Sequence, residues 1–449
     1  MRYHFSGIAG QGMNPLAQLM RAWGHDVQGS DRSFDQGKSP DLAERLQAQG
    51  IRLLPQDGTA VQAGLERFVY SAAVEQDTPE VAAAKALGIE RLARPALLAE
   101  VINQAGTGVA VAGTSGKSTV TGMIAWILRQ TQTPASILGG AALAGEGVAG
   151  CFAVGPRDGI VVAEACESDG TLIGYRPALG VIHNITRDHG ELEGLRQQFT
   201  TFASQSRTVL VNSRCAESLA LTADHPRRLT YGTGANAAYP LEIISVGPST
   251  SQGVLGLPQG DLNLVLNHPG AHNLENAAAA AVVALELGLA PRAIAAALAT
   301  FPGVARRFEV VGTTDTGIRV VDDYAHNADK IRAVVQAAQA GAERVIAVFR
   351  PHGFGPARFL RPELKELLPT LLRPQDRWAY TDIFYAGGSV AMDIHSRDLA
   401  ADAPGLDYVP YGDLLTWLAE TAYTGDTVLI MGARDPDLPR LARAVHGLL

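Results

Sequence analysis

Cysteine is scarce in this sequence, which has three among 449 residues, at positions 151, 166 and 215. Their number is odd and their spacing is wide, so they match neither a metal-ligand pattern nor a disulfide framework. The sequence also has no secretory signal at its start and no apolar run long enough for a membrane helix. These absences predict a protein of the reducing cytoplasm that does not insert into a membrane.

Positive charge is also limited, because 37 lysines and arginines stand against 45 acidic residues and give a net charge of −8. A chain with this balance is not expected to bind nucleic acid, since binding to a phosphate backbone needs a basic surface. Hydrophobic residues make up 47% of the sequence, which is ample for a buried core. The length favours about three domains.

A glycine-rich loop after a strand-like run is the clearest motif in the sequence. The apolar residues Val109–Ala112 predict a buried strand, the loop Gly113–Gly116 follows, and a one-sided apolar pattern predicts a helix over Ser118–Arg129. In such loops, glycines let backbone N–H groups approach a phosphate chain, a lysine reaches the terminal phosphates, and a hydroxyl binds Mg²⁺. The motif predicts an ATP or GTP site, because an ordinary strand-to-helix turn leaves Lys117 unexplained.

The first segment, residues 1–104, alternates short strands and helices. The strand predicted at Tyr3–Ile8 runs into a turn that contains Gly7, Gly10 and Gly12, and Asp31 follows the next strand. This arrangement is typical of a Rossmann-like diphosphate site, in which the acid binds a ribose or a base. The glycine spacing differs from that of NAD-binding folds, so NAD is a less favoured ligand. By itself, the motif is equally consistent with a diphosphate site and with an ordinary turn.

In the second segment, residues 105–302, two predicted strands end in polar residues. Glu164 lies near the end of the strand predicted at Gly159–Ala165, and His189 follows the one predicted at Leu179–Ile185. Neighbouring ends of parallel strands meet at one edge of a sheet, here beside the phosphate loop. We therefore predict that both residues bind a metal ion. The alternatives are that Glu164 caps a helix and that His189 is an ordinary polar residue.

The third segment, residues 303–449, repeats the alternation of strands and helices. Its predicted strands are Ile318–Asp323, Val345–Phe349, Trp378–Thr381 and Thr427–Met431. The whole sequence predicts an α/β fold with domains at residues 1–104, 105–302 and 303–449. Polar strand ends in all three segments predict a reaction in a cleft between domains.

Five motifs, taken in their order along the chain, resemble those of the Mur ligase family. They are Gly113–Thr119, Glu164–Asp169, the stretch from Asn184 to His189, His272–Asn276 and Asp322–His326. The stretches His4–Met13 and Gly303–Phe308 resemble the family branch that contains the UDP-N-acetylmuramate–L-alanine ligases and the murein peptide ligases. The resemblance implies a Rossmann-like N-terminal domain for UDP-N-acetylmuramate, a central P-loop ATPase domain, and a Rossmann-like C-terminal domain that closes and binds the amino acid.

The resemblance also implies an ATP-dependent ligation in two steps, with L-alanine as the default amine. The muramate carboxylate attacks the γ-phosphate of ATP to form an acyl phosphate, and the amine then displaces phosphate to leave an amide. This chemistry requires positioning and charge neutralisation more than a strong nucleophile. The implied cofactors are ATP and Mg²⁺, and Mn²⁺ is an alternative because imidazole is an unusual ligand for Mg²⁺.

The motifs and the resemblance together predict the residues of the site. The predicted catalytic residues are Lys117, Glu164, His189 and Arg307. The predicted ATP-binding residues are Gly113, Thr114, Ser115, Gly116, Lys117, Ser118, Thr119, His272, Asn276, Arg306, Asp323 and His326. The predicted UDP-substrate residues are Gly7, Gly10, Gly12, Met13, Ser30, Asp31 and Ser71. The predicted metal ligands are Ser118, Thr119, Glu164 and His189, and His352 and Arg358 are predicted on the amino-acid side.

The sequence departs from the family pattern on the amino-acid side of the site. Residues 352–358 hold one arginine, Arg358, where alanine-adding ligases typically have three, and His326 is followed by Asn327-Ala328 rather than by His-Pro. These differences leave the ATP chemistry intact but leave the added amino acid open. The alternatives are a paralogue that uses another amino acid, a peptide or another carboxylate, and a nucleotide-binding regulator without activity. A monomer or homodimer is expected.

Overall fold

The computed structural model describes residues 1–71, 74–75, 77–145, 152–167, 170–186, 192–385 and 391–449. Internal contacts divide the chain into two compact units. The first unit contains Met1–Ser245, Ser251–Asn267 and Ala271–Pro302, and the second contains Val246–Thr250, His268–Gly270 and Gly303–Leu449. Among the described residues, none of the helices combines the length and the apolar character that a membrane span requires.

The first unit begins with a five-stranded parallel sheet. Its elements are β1 (Arg2–Ser6), α1 (Met13–Ala22), β2 (Asp26–Ser30), α2 (Arg32–Asp35), α3 (Pro40–Ala48), β3 (Arg52–Leu53), β4 (Arg67–Tyr70), α4 (Pro79–Ala86), β5 (Glu90–Ala93) and α5 (Arg94–Gln104). The strands pair in the order β3-β2-β1-β4-β5. Side chains alternate between the faces of a strand, so Tyr3, Phe5 and Val27 share one face, where they are buried in an apolar core.

A buried polar network occupies the other face of this sheet. Glu80, in the first turn of α4, accepts hydrogen bonds of 2.5 Å from the hydroxyls of Ser6 and Ser30, and its Oε1 lies 2.9 Å from Nε2 of His4. All four side chains are fully buried. Burial alone raises the pKa of Glu80, but the hydrogen bonds from His4 and the two serines leave it below its usual value. Three donors therefore stabilise a carboxylate inside the domain.

The rest of the first unit is built on a ten-stranded sheet. Its elements are β6 (Thr107–Ala112), α6 (Lys117–Gln130), β7 (Ala135–Leu138), β8 (Phe152–Ala153), β9 (Ile160–Glu164), a 3-10 helix (Thr171–Gly174), β10 (Leu179–Ile182), α7 (Leu192–Gln205), β11 (Thr208–Asn212), α8 (Ala216–Leu221), β12 (Arg228–Gly232), β13 (Tyr239–Val246), β14 (Ser251–Leu257), β15 (Gly260–Leu266), α9 (Ala271–Glu286) and α10 (Pro291–Ala299). The order is β15-β14-β13-β12-β11-β10-β6-β9-β7-β8. Strand β6 lies between β10 and β9 and is parallel to both, so the three strands end at the same edge.

The second unit contains a six-stranded sheet. Its elements are β16 (Glu309–Thr313), β17 (Arg319–Asp323), α11 (Ala328–Gln339), β18 (Val345–Arg350), α12 (Phe354–Leu371), β19 (Arg377–Tyr380), α13 (Ser396–Ala400), β20 (Leu406–Tyr408), a 3-10 helix (Tyr411–Asp413), α14 (Leu414–Thr421), β21 (Thr427–Gly432) and α15 (Leu438–Leu448). The order is β16-β17-β21-β18-β19-β20, in which β16 is antiparallel to β17 and the other pairs are parallel. Helices α11, α12 and α13 cover one face, and α14 and α15 cover the other.

The predicted α/β fold is confirmed, while the predicted domain boundaries stay predictions. The strands predicted at Tyr3–Ile8 and Leu179–Ile185 end at least two residues earlier in the structure. The strand predicted at Tyr3–Ile8 ends at Ser6, because Gly7 adopts φ +81° and turns the chain. The strand predicted at Leu179–Ile185 ends at Ile182, and the carbonyl of Asn184 then accepts a hydrogen bond from the backbone of the phosphate loop.

Candidate active site

The predicted phosphate loop joins β6 to α6, at the edge of the sheet where β9 and β10 also end. Gly113 and Gly116 have φ of +141° and +81°, a conformation that side chains other than glycine rarely adopt. Asn184, which follows β10, holds the loop: its Oδ1 accepts hydrogen bonds from Thr114 Oγ1 (2.9 Å) and Ser115 N (2.8 Å). The loop is thus fixed before any ligand arrives, with the first turn of α6 directly behind it.

Lys117, the first residue of α6, is held by the loop and by one carboxylate. Its Nζ donates hydrogen bonds to the carbonyl of Gly113 (2.5 Å) and to Oε2 of Glu167 (2.8 Å). Glu167 follows β9 and is buried. The sequence motifs do not mark Glu167 as a partner of the lysine. An anion bound at the loop would share this lysine with Glu167.

Two predicted metal ligands meet at the same place. Glu164 ends β9, and its Oε2 accepts a hydrogen bond of 3.1 Å from the hydroxyl of Ser118, while its Oε1 accepts one of 2.6 Å from the backbone of Gly140. Thr119 is the next residue of α6 and is half-buried. His189 lies outside the described residues, and within the described ranges no three His, Cys, Asp or Glu side chains form a metal cluster.

Two of the predicted ATP-binding residues, His272 and Asn276, lie in the first turns of α9. His272 is exposed, whereas Asn276 is buried and donates from Nδ2 to Asn273 Oδ1 at 3.2 Å. The other amide atom, Oδ1 of Asn276, is buried without a hydrogen-bond partner among the described residues. A buried acceptor without a donor is unfavourable, so this atom is available to a donor that a ligand brings.

His183 and Tyr231 form a buried pair behind the loop, which the sequence analysis missed. Nδ1 of His183 lies 2.5 Å from the hydroxyl of Tyr231, and burial lowers the pKa of His183 to about 4. A Cβ added at Gly116 would lie 2.7 Å from the His183 ring and 2.8 Å from Asn276 Oδ1. Nothing in the local sequence marks this pair, because it depends on the register of β10, β11 and β12.

The predicted UDP turn follows β1. Asp31 accepts hydrogen bonds of 2.9 Å from Ala9 N and from Ser33 N, so both of its carboxylate oxygens shape the turn and the helix start. Gly7 lies against Ser71, since a Cβ added there would be 3.2 Å from the Ser71 Cβ. Gly10 and Gly12 continue the turn, and the side chain of Met13 is buried in the apolar core.

Ser30 differs from the other residues predicted for the UDP substrate. Its hydroxyl is fully buried and donates to Glu80. Its carbonyl accepts hydrogen bonds from Gly7 N (2.9 Å) and Ile8 N (3.1 Å). In this structure Ser30 therefore connects the interior of the sheet to the glycine turn, and its hydroxyl faces away from solvent.

In the second unit, Arg306 is held within the fold. Its guanidinium forms an ion pair of 3.2 Å with the buried Asp322 and donates to the carbonyl of Gly432 at 2.6 Å. Burial raises the pKa of Asp322 to about 6, although Arg306 works in the opposite direction. Of the two predicted arginines, Arg306 thus binds the ends of β17 and β21.

Tyr324 is the centre of the remaining predicted residues in this unit. The Arg307 guanidinium lies 5.6 Å from the centre of the Tyr324 ring, and the ring of His326 packs edge-on against it at 5.7 Å. The next ring contact, of 5.5 Å, joins His326 to His352. Asp323 accepts hydrogen bonds from two backbone N–H groups, and so shapes the turn around this cluster.

Arg358, the other residue predicted on the amino-acid side, makes its contacts outside the cluster around Tyr324. Its guanidinium forms an ion pair with Asp393 and donates to the carbonyl of Ala391 at 3.3 Å. Both partners are on the segment that precedes α13. The charge of this arginine is therefore compensated within the unit.

Comparison with known proteins covers almost the whole chain. Three family models match: the Mur ligase family catalytic domain at residues 2–105, the Mur ligase middle domain at 111–284 and the Mur ligase glutamate ligase domain at 306–434. The chain is 31% identical to the UDP-N-acetylmuramate–L-alanine ligase of Agathobacter rectalis, over 96% of this chain and 95% of the relative. It is 34% identical to that of Stenotrophomonas maltophilia, over 99% and 95%.

Solved structures have the same architecture. The UDP-N-acetylmuramate-alanine ligase of Thermotoga maritima has a TM-score of 0.78 and 25% identity, covering 99% of this chain and 98% of that one. A murein peptide ligase of Psychrobacter arcticus has a TM-score of 0.72 at 21% identity, covering 100% and 99%, and shows the fold alone. The three domain models and the full-length relatives show that this chain is an ATP-dependent ligase of the Mur ligase family.

Proposed function

We propose that this ligase joins L-alanine to the carboxylate of UDP-N-acetylmuramate, with ATP as the energy source and Mg²⁺ as the metal. The observation that carries the proposal is the phosphate loop, where Lys117 and the Glu164–Ser118 pair stand side by side at one edge of the sheet. The relatives that this chain matches over nearly their whole length are named for this reaction. The cytoplasmic location and the oligomeric state stay predictions.

The ATP residues have distinct roles in this proposal. The loop N–H groups and Lys117 bind the terminal phosphates, and the buried Oδ1 of Asn276 accepts a hydrogen bond from the exocyclic amine of adenine. Arg307 binds the γ-phosphate, because Arg306 already neutralises Asp322 inside the second unit. His272, Asp323 and His326 stay predicted ATP residues.

The donor set next to Lys117 fits Mg²⁺. The hydroxyl of Ser118 and the carboxylate of Glu164 are oxygen ligands, which Mg²⁺ prefers, and they already lie within hydrogen-bonding distance of each other. Thr119 and His189 are the further predicted ligands. When bound, the metal ion neutralises phosphate charge and lets a carboxylate approach the triphosphate.

The reaction proceeds in two displacements. An oxygen of the muramate carboxylate attacks the γ-phosphorus, and the bond to the β-phosphate oxygen breaks to release ADP. The nitrogen of L-alanine then attacks the acyl carbon, and the carbon–oxygen bond to phosphate breaks, which leaves the amide and inorganic phosphate. Lys117 and Arg307 stabilise the negative charge that gathers on the transferred group.

ADP formation tests the proposal. The purified chain is expected to form ADP over many turnovers only when Mg-ATP, UDP-N-acetylmuramate and L-alanine are all present, because the second displacement must regenerate the free enzyme. Lys117→Ala is expected to abolish ADP formation. Lys85→Ala, on the exposed side of α4, is the matched control and should keep full activity. ADP formed only with another amine or a peptide would reject L-alanine as the substrate. ADP formation unaffected by Lys117→Ala would reject the loop assignment.

A further inference from the structure

Backbone strain is concentrated near the strand ends of the second unit. Six described residues other than glycine adopt positive φ: Ser39, Gln132, Asn236, Arg306, Phe308 and Arg434. Arg306 and Phe308 lie on either side of Arg307, and Arg434 follows β21, whose last residue is bonded to Arg306. Strained residues of this kind cluster at functional sites, where the surrounding structure maintains them.

Arg434 has the most constrained backbone of the three. Its φ is +65°, and the N–H of Asp435 donates to the carbonyl of Ala433 at 2.8 Å. A hydrogen bond between residues two apart, around a central residue at positive φ, defines the rare and strained form of the γ-turn. A glycine would occupy this position without strain, but the chain has an exposed arginine there.

Neighbouring residues hold the γ-turn on both sides. Asp435 is buried and forms an ion pair of 2.5 Å with Arg350, and the N–H of Arg434 donates to the hydroxyl of Tyr324 at 3.1 Å. Tyr324 also carries Arg307 on its ring. The turn therefore places Arg434 beside the cluster that contains the predicted phosphate-binding arginine.

Arg434 differs from its arginine neighbours in charge compensation. Arg306 is paired with Asp322 and Arg350 with Asp435. By contrast, no described residue forms an ion pair with the guanidinium of Arg434. Arg358, predicted on the amino-acid side, is neutralised by Asp393. Arg434 thus remains an uncompensated cation at this edge of the sheet, on a backbone conformation that a glycine would adopt without strain.

We propose that Arg434 binds the carboxylate of the incoming amino acid. The planar fork of a guanidinium matches a carboxylate with two parallel hydrogen bonds, and this substrate brings one carboxylate that requires a cation. Arg307, on the ring of the same tyrosine, serves the phosphate. The inference rests on the proposed function, since it takes an amino acid as the second substrate.

Kinetics with L-alanine and L-alaninamide test this assignment, because the amide lacks the carboxylate charge. In Arg434→Gly, KM for L-alanine is expected to rise about 10- to 100-fold, as for the loss of a charged hydrogen-bonded pair, while KM for ATP stays within twofold. The preference for L-alanine over L-alaninamide should fall by a similar factor. Arg434→Lys, which keeps the charge without the fork, should recover part of both.

Gln132→Gly is the matched control, because Gln132 has φ +52° at the end of α6. Both glycine variants relieve backbone strain and are expected to keep or raise the melting temperature, but only Arg434→Gly should change KM. If Arg434→Gly keeps KM for L-alanine within twofold of the wild-type value, or raises KM for ATP equally, the inference about Arg434 is overturned while the proposed function stands. A wild-type chain that forms no ADP with any amino acid would reject the proposed function and the inference with it.

Discussion

Replacing Gly116 by alanine tests the phosphate loop in depth. A Cβ at this position would lie 2.7 Å from Cδ2 of His183 and 2.8 Å from Oδ1 of Asn276, both closer than the 3.0 Å below which real Cβ contacts essentially do not occur. Neither neighbour can retreat freely, because both are buried and His183 is bonded to Tyr231. The loop itself must therefore move.

Two costs add in this variant. At φ +81°, an L-residue is destabilised by about 1–2 kcal/mol relative to glycine. Overpacking against fixed neighbours costs about 1–3 kcal/mol more. To restore an ordinary contact of 3.4 Å from 2.7 Å, the loop and His183 must separate by 0.7 Å. A displacement approaching 1 Å in a binding site lowers kcat/KM by about 100-fold.

Gly288→Ala isolates the strain from the clash. Gly288 has φ +86°, but a Cβ there would meet no atom within 4 Å, so only the cost of about 1–2 kcal/mol applies. Melting temperatures measured with and without Mg-ATP separate the two effects, since a ligand that binds the folded state raises the melting temperature. We expect Gly288→Ala to keep the ATP-induced rise and Gly116→Ala to lose it. Equal stability and an equal ATP-induced rise in both variants would refute the reasoning.

Three further predictions concern the metal site, pH and the second unit. Glu164→Gln should raise the Mg²⁺ concentration for half-maximal ADP formation about tenfold or more, and an unchanged titration would contradict its role as a ligand. Burial lowers the pKa of His183 from its usual 6.5 to about 4, so the folded state is destabilised relative to the unfolded state as pH falls from 6.5 towards 4. His183→Gln should reduce the dependence of the unfolding free energy on pH over this range, measured by urea titration. Arg306→Ala leaves Asp322 buried without its partner and should destabilise the second unit by about 3–5 kcal/mol, visible as a lower melting temperature, whereas an unchanged value would show that the pair contributes nothing.

The elements next to the phosphate loop could be predicted because their signals are local. The apolar run before Gly113 and the one-sided helix after Gly116 are complete within about 20 residues, and the structure has β6 and α6 there. The strand predicted at Val345–Phe349 is part of β18, because its five residues form an unbroken apolar run that is buried within the sheet.

Other elements lack a local signal and could not be predicted from the sequence. Strand β5 (Glu90–Ala93) lies at the edge of its sheet and has only four residues, two charged ones followed by two apolar ones. Strands β14 and β15 are half-exposed and antiparallel, so their apolar residues are interrupted by polar ones and glycine. Such short or interrupted patterns cannot be told from loops without the neighbouring strand.

The candidate site shows the same division. The identity of Lys117 as a phosphate ligand follows from its motif, but its pairing with Glu167 depends on where β9 ends. Arg307 is predicted from the sequence as catalytic and Arg306 as ATP-binding, but the ion pair that holds Arg306 on Asp322 depends on the fold. The strain at Arg434 is a property of the backbone that no residue type reveals.

The buried carboxylate of Glu80 bears on which substitutions this domain accepts during evolution. Replacing His4, Ser6 or Ser30 alone leaves a buried charge short of one donor, at a cost of about 1–3 kcal/mol, and replacing Glu80 alone removes the acceptor that the three side chains share. By contrast, replacing the whole set of buried polar side chains with well-packed apolar ones need not lower the stability of the fold. The four positions are therefore expected to be inherited as a block, so that lineages carry either the complete polar set or an apolar replacement of all four.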